Sequence, residues 1–326
     1  MSSLKDAWRA ILLTFAASIA GLIASLLAGP DGIGLPADPA AARLVFVEIR
    51  VPRAVLGFLV GGALGISGAV LQGYLRNPLA EPGLLGITGG GALGAVLTIH
   101  SGLAGRIALA LPMAGLIGAA VATIAVVALA GLNASATTLI LAGVAVSSIA
   151  GALTSLALNL SPNPFASTEI MFWLMGSLTD RSLAHVWLAA PLILIGAAML
   201  LTTARDLEAL TLGEEAAQNL GVDPAGLRFK VVTGIALAVG AATAVTGAIG
   251  FIGLVVPHIL RPLVKESPGQ LLLPSFFGGA ALVLFADVAL RIASPQGDLR
   301  LGVLSALLGA PFFLWLVLKK RAEFGR

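Results

Sequence analysis

Six stretches of this chain run without a single Asp, Glu, Lys or Arg: Arg9 to Asp31, Arg53 to Arg76, Glu81 to Arg106, Arg181 to Arg205, Glu266 to Asp287 and Arg300 to Lys319. Each holds about 18 to 24 residues, the length an α-helix needs to cross a hydrocarbon layer of roughly 30 Å. Two longer intervals, Arg106 to Glu169 and Lys230 to Arg261, fit two crossings and one crossing plus part of another. A chain patterned in this way has lipid, not water, as its main solvent. With 58% hydrophobic and 11% charged residues and a mean hydropathy of +1.01, it lacks the roughly 25% charge of ordinary soluble domains. A soluble chain of this length could not hide so much apolar surface.

The expected fold is an all-α polytopic membrane protein, with residues 1–326 forming a single transmembrane domain. Ten spans are predicted, roughly 8–28, 54–75, 84–103, 107–130, 138–158, 186–203, 229–246, 248–264, 270–291 and 301–318. The first, preceded by Lys5 and Arg9, is long for a signal peptide and reads as a retained span. With the chain starting inside, twelve Lys and Arg fall in cytoplasmic segments and seven in outer ones, which puts both termini in the cytoplasm. The outer segment 159–185 is expected to hold a short helix. The polar inner segment 204–228 is helix-prone and long enough to be functional.

The absence of cysteine excludes disulfides and thiolate metal sites. His100, His185 and His258 have no metal-ligand spacing, and no metal site or cofactor is expected. The net charge of +3 suits cytoplasmic anchoring and contact with lipid head groups rather than nucleic acid. No GxxxxGK[ST] run occurs, so no phosphate-cradling loop is visible. Gly62, Gly65, Gly68, Arg76 and Glu81 recur 185 residues later as Gly247, Gly250, Gly253, Arg261 and Glu266, a pattern that fits either an internal duplication or chance among glycine-rich helices.

The stretch 50–88 carries most of the information. Gly61, Gly65 and Gly68 let a second helix approach closely. Pro78 and Pro82 end the span in a tight turn. Arg50 and Arg53 lie one helical turn apart and can face outward together. Spacing alone allows lipid anchoring for this pair.

Together these residues resemble the FecCD family of permeases, the membrane subunits of ATP-driven importers for iron–siderophore, haem and cobalamin. The matching blocks are Arg50, Pro52 and Arg53, then Gln72, Arg76 to Ala80 and Gly86 to Gly94. They continue with GAIGFIGLVVPHILR at 247–261, ADVALR at 286–291 and LGVLSALLGAPFF at 301–313. The resemblance implies a homodimer with a pore on its two-fold axis, two ATPase subunits at the cytoplasmic face and one periplasmic substrate-binding protein. It also implies residence in the bacterial inner membrane. Arg50, Arg53 and Arg291 would receive acidic residues of the binding protein. Glu214, Glu215, Ala216, Ala217 and Gly221 resemble the EAA loop that docks into the ATPase. The cytoplasmic gate would fall near Asn133 to Thr138, with Ser135 and Thr137 as its residues. The fifth span, the 159–185 segment and the last span would line the pathway. The chain departs from the family at Asp298-Leu299-Arg300, where arginine replaces proline before the last span.

Other readings compete at particular residues. Gly65-Ile66-Ser67-Gly68 matches a rhomboid-protease GxSG and His258 lies in a later span, a combination that would need a serine–histidine hydrogen bond. Asp287 could relay protons in an ion-gradient-driven secondary transporter working without an ATPase, or it could pair with Arg291 one turn away. Haem transfer by ligation would want His, Met or Tyr facing the pore, and the single tyrosine, Tyr74, lies near the end of its span; a bulky chelate can instead slide through a channel of small residues, and an iron chelate is favoured over cobalamin.

Overall fold

A computed structural model describes residues 2–29, 32–131, 135–161, 163–294 and 299–324. Asn133, Pro162 and Asp298 lie outside the described residues. The helices are α1 (Ser2–Leu27), α2 (Pro39–Leu44), α3 (Val51–Tyr74), α4 (Ile87–His100), α5 (Ala110–Ala130), α6 (Ala136–Asn159) and α7 (Pro164–Leu174). They continue as α8 (Leu183–Leu201), α9 (Ala204–Leu210), α10 (Glu214–Asn219), α11 (Pro224–Thr246), α12 (Ile252–Leu260), α13 (Pro268–Ala293) and α14 (Leu301–Phe324). After α1 the chain makes a two-residue antiparallel pairing of Ala28–Gly29 with Gly32–Ile33. A π-helical turn, Val45–Arg50, leads into α3.

Eight of the described helices are long and apolar enough to cross a membrane: those built on α1, α3, α5, α6, α8, α11, α13 and α14. The two other expected spans are shorter. α4 has 14 residues, about 21 Å of helix. α12 continues through a 3₁₀ turn to span only Ile252–Val264. Each begins after a left-handed residue, Gly86 at φ 75° and Phe251 at φ 68°. Both are therefore broken helices, whose irregular backbone is tolerated in a membrane protein only where protein surrounds it.

The expected helix in the outer segment is α7, and the inner segment folds as α9 and α10. α3 is the central element, buried along most of its length against α13, α12, α8 and α11. Its small residues make this possible. A Cβ on Gly61 would stand 2.3 Å from the Gly279 carbonyl oxygen, and one on Gly68 would stand 1.9 Å from that of Gly253. α13 and α12 thus cross α3 at backbone-to-backbone distance, as the glycine spacing suggested. The segments matched at an offset of 185 differ in structure: Gly62 and Gly65 lie within α3, whereas Gly247 and Gly250 lie in the break before α12.

Candidate functional site

Charged side chains gather at the two ends of this apolar bundle, and a smaller polar group lies just inside one of them. At the end where α1 and α13 finish and α3 begins, three arginines meet one carboxylate. Asp287, 1% exposed, accepts from Arg53 Nε at 3.0 and 3.1 Å and from Arg53 Nη2 at 2.8 Å. Its second oxygen accepts from Arg291 Nη2 at 2.7 Å. Arg291 also donates to the Ser25 and Ala28 carbonyls at 2.9 and 3.0 Å and to the Ser25 hydroxyl. Arg50 donates to the carbonyls of Leu26, Leu27 and Gly34 at 2.9, 2.8 and 2.6 Å.

Arg50 and Arg53 therefore do not face outward together. The last turn of a helix leaves its carbonyls without intrahelical donors and carries the negative end of the macrodipole. Those orphan carbonyls of α1 draw in Arg50 and Arg291, and Arg50 is only 6% exposed. Arg53, its side chain 17% exposed, points to Asp287. A carboxylate clamped between two guanidiniums is a charge-neutralising partner, the pairing expected for Asp287 and Arg291, and its geometry does not suit a mobile proton carrier. Within this cluster three guanidiniums stand against one carboxylate.

At the opposite end the segment 204–221 forms a small platform. α10 is bracketed by Gly213 at φ 104° and Gly221 at φ 92°. Val222 N–H bonds the Ala217 carbonyl and Gly221 N–H that of Gln218, at 3.0 and 2.9 Å, a Schellman closure that needs glycine at the left-handed position. Ala217 is buried, while Glu214 and Glu215 are exposed. Leu212 and Leu220, 68% and 65% exposed, flank the helix as apolar knobs on an otherwise polar surface. Among the described residues the platform is tied by Arg76 to Glu214 at 3.2 Å, by Lys230 to Asp206 at 3.5 Å, and by Glu208, which accepts from Gly269 N–H at 3.2 Å and from the Ser267 hydroxyl at the start of α13.

Ser135 caps α6, its hydroxyl accepting from Thr138 N–H at 3.2 Å, and Thr137 is exposed beside it. Ser135 shares a cavity of about 80 Å³ with Tyr74, Glu214, Ala217 and Arg228. The expected gate and the EAA-like helix thus border one space, which sequence did not indicate.

Sequence reasoning also missed the polar group just inside the platform end, where α3 gives way to the α3–α4 turn. Gln72, 1% exposed, receives Arg261 Nη2 on its Oε1 at 2.6 Å. That bond turns the amide nitrogen toward the Ala80, Gly253 and Leu254 carbonyls, 3.3–3.4 Å away. Glu81 accepts the Phe251 N–H at 2.5 Å. Single amide and carboxyl groups beside prolines in an otherwise apolar stretch were the available signal. The Ser67 hydroxyl is buried without a hydrogen-bond partner, so the serine–histidine pair of a protease is not formed. The described residues contain no group of three or more His, Cys, Asp or Glu placed to hold a metal.

A cavity of about 530 Å³ opens between the end of α7 and the start of α14, lined by Leu174, Met175, Ala248, Gly302, Val303 and Ala306 among others. Arg300 begins α14: its carbonyl accepts from Val303 and Leu304 N–H, and its guanidinium lies 4.9 Å from the Phe172 ring centroid of α7. The departure from proline thus places a cation–π contact between the two helices that border the cavity.

Residues 7–319 match the FecCD transport family. The chain is 39% identical over 281 residues to the cobalamin import system permease protein BtuC of Halobacterium salinarum, covering 86% of this chain and 74% of that protein. It is 38% identical over 283 residues to the hemin transport system permease protein HmuU of Yersinia pestis, covering 86% and 84%. The vitamin B12 import system permease protein BtuC of Salmonella typhimurium is 39% identical over 298 residues, with 90% of each chain covered. A metal-chelate type ABC transporter solved in an inward-facing conformation superposes with a TM-score of 0.85 at 31% identity, covering 95% of this chain and 98% of that one.

Proposed function

The chain belongs to the FecCD transport family, and from that premise we propose how it is assembled and worked. It is a multi-pass subunit of the bacterial cytoplasmic membrane, the permease of an ATP-binding-cassette importer for an iron chelate, haem or cobalamin. Nucleotide hydrolysis belongs to a separate subunit.

The proposed topology has ten crossings with both termini in the cytoplasm, the short α4 and α12 counting as crossings completed by the buried turns before them. The excess of Lys and Arg in the segments assigned to the cytoplasm supports it. Two copies form the pathway on a two-fold axis, with Ser135 and Thr137 of each copy at the inner gate. Two ATPase subunits engage Glu214, Glu215, Ala216, Ala217 and Gly221, with Leu212 and Leu220 as apolar contacts. One binding protein docks on the outer face at Arg50, Arg53 and Arg291, with the partly exposed Arg53 meeting acidic side chains and the buried Arg50 and Arg291 adding their field. The cargo passes as an intact chelate, a reading supported by the apolar lining of the α7–α14 cavity.

One observation carries the reading: an arginine-rich, internally braced end and a protruding helix with apolar knobs stand at opposite poles of one apolar bundle. The test is uptake into proteoliposomes of haem, a ferric siderophore and cobalamin, with the cognate ATPase and binding protein added singly and together. Uptake of one chelate that requires both partners and ATP is expected. Uptake by the permease alone would establish an ion-gradient transporter in its place.

A further inference from the structure

Glu81 is a half-buried acid in the α3–α4 turn, facing an otherwise apolar bundle, a position that costs free energy and that proteins keep for a purpose. Its carboxylate accepts the backbone N–H of Phe251, at 2.5 Å. Phe251 precedes α12, where unsatisfied N–H groups and the positive end of the helix dipole favour a carboxylate. The contact joins residues 170 apart in sequence, linking the α3–α4 turn to the broken helix.

α12 is fastened at both ends to the same neighbour. Glu81 holds its start. Arg261, at its close, holds Gln72 of α3, and Gln72 in turn faces the Gly253 and Leu254 carbonyls. On its other side α12 presses on α14. Phe251 stands in a left-handed conformation that a phenylalanine adopts only under constraint, with its side chain packed onto Gly309: a Cβ added there would lie 2.2 Å from Phe251 Cβ and Cγ. The His258 ring meets Phe312 with centroids 5.6 Å apart. The α3–α4 turn itself is tied to the cytoplasmic platform through Arg76 and Glu214. Platform, turn, α12 and α14 are thus in series, and α14 borders the cavity beside α7.

We propose that Glu81 is a positioning residue of the transport cycle: its carboxylate fastens the start of α12 to the α3–α4 turn, so that displacement of the cytoplasmic platform reaches α14 through Phe251. This rests on the importer reading above. If Glu81 only stabilised the fold, uptake and ATP hydrolysis would fall together with the amount of folded complex. As a positioning residue it sets the ratio of the two. Glutamine retains an acceptor for the Phe251 N–H and alanine does not.

The experiment compares wild type, Glu81→Gln, Glu81→Ala and Gly309→Ala in the full complex with ATPase and binding protein, reconstituted in liposomes. Chelate taken up per ATP hydrolysed is measured, alongside the yield and melting temperature of the complex. Losing a hydrogen bond to a charged acceptor is expected to lower uptake per ATP by about tenfold in Glu81→Ala. Glu81→Gln is expected to stay near wild type. Gly309→Ala, which displaces Phe251 from the α14 side without touching Glu81, is expected to lower the ratio as Glu81→Ala does. If Glu81→Ala does not assemble, Gly309→Ala decides. An unchanged ratio in the assembled alanine variants, or a loss in Glu81→Gln equal to that in Glu81→Ala, overturns the proposal. A wild-type complex whose uptake needs no ATPase overturns the importer reading itself.

Discussion

The two polar ends of this molecule are built on opposite plans. At the arginine-rich end, Asp287 is buried between Arg53 and Arg291, and Arg50 and Arg291 spend their donors on the last carbonyls of α1. At the other end the platform of α9 and α10 is held by Arg76–Glu214, a pair exposed on both sides, and by a 3.5 Å contact of Lys230 with Asp206. Buried, many-partnered charges resist displacement because each would be left unpaired. Exposed single pairs exchange readily with water. The arginine-rich end is therefore braced by buried contacts and the platform by more exposed ones, the arrangement expected of a seat and a moving part.

That contrast ranks the expected effects of mutation. The largest belongs to Asp287→Ala, which leaves two guanidiniums facing each other in the interior; a loss of about 3–5 kcal/mol is expected, seen as a large drop in the melting temperature of the purified permease. A loss below 1 kcal/mol would show that the arginine end is not braced as described. Next comes the crossing of α3 and α13. Gly61→Ala puts a methyl group 2.3 Å from the Gly279 carbonyl oxygen, and overpacking of this kind costs about 1–3 kcal/mol. Gly221→Ala places a Cβ in the left-handed closure of α10; it is expected to cost about 1 kcal/mol locally and to weaken binding of the ATPase in a pull-down while leaving the melting temperature of the bundle unchanged. The smallest effect is expected for Arg76 with Glu214, where a double-mutant cycle on permease stability should return no more than about 1 kcal/mol of coupling. A coupling of several kcal/mol would erase the distinction between the two ends.

Docking offers a separate way to sharpen the comparison. Arg53 is the most exposed of the three arginines whose roles were carried over from the family. Arg53→Gln, which leaves Asp287 its Arg291 partner, is expected to slow association of the binding protein and to flatten its dependence on ionic strength, measured by surface-immobilised binding kinetics. Arg50→Gln should loosen the α1 terminus as well, because the Arg50 guanidinium is committed to three carbonyls.

Much of this was legible in the sequence. The charge-free intervals located every long helix, since hydrocarbon thickness dictates their length. The glycines of α3 foretold where other helices cross it, because only a missing Cβ permits that approach. The segment 204–228 announced a polar helical stretch through its charge and its glycines. What sequence could not supply was direction. Arg50 and Arg53, read from helical spacing, share a face, but the π-helical turn before α3 and the orphan carbonyls of α1 send them to different partners. Nor could spacing reveal that Glu81 reaches Phe251 or that Arg261 reaches Gln72, since those contacts depend on where the breaks before α4 and α12 fall. The breaks are set by tertiary packing around Gly86 and Phe251.

The measurement that most directly tests the division into a seat and a moving part is pulsed electron–electron distance measurement. The chain contains no cysteine, so labels can be attached without altering the background. One spin-label pair would join Thr137 to Leu212 at the cytoplasmic end, and another would join Leu27 to Ile292 at the arginine-rich end, within one copy of the assembled complex. The account predicts that the Thr137–Leu212 distance shifts between nucleotide-free and ATP-bound complexes while the Leu27–Ile292 distance stays the same. A shift confined to Leu27–Ile292, or two distances that change together, would contradict it.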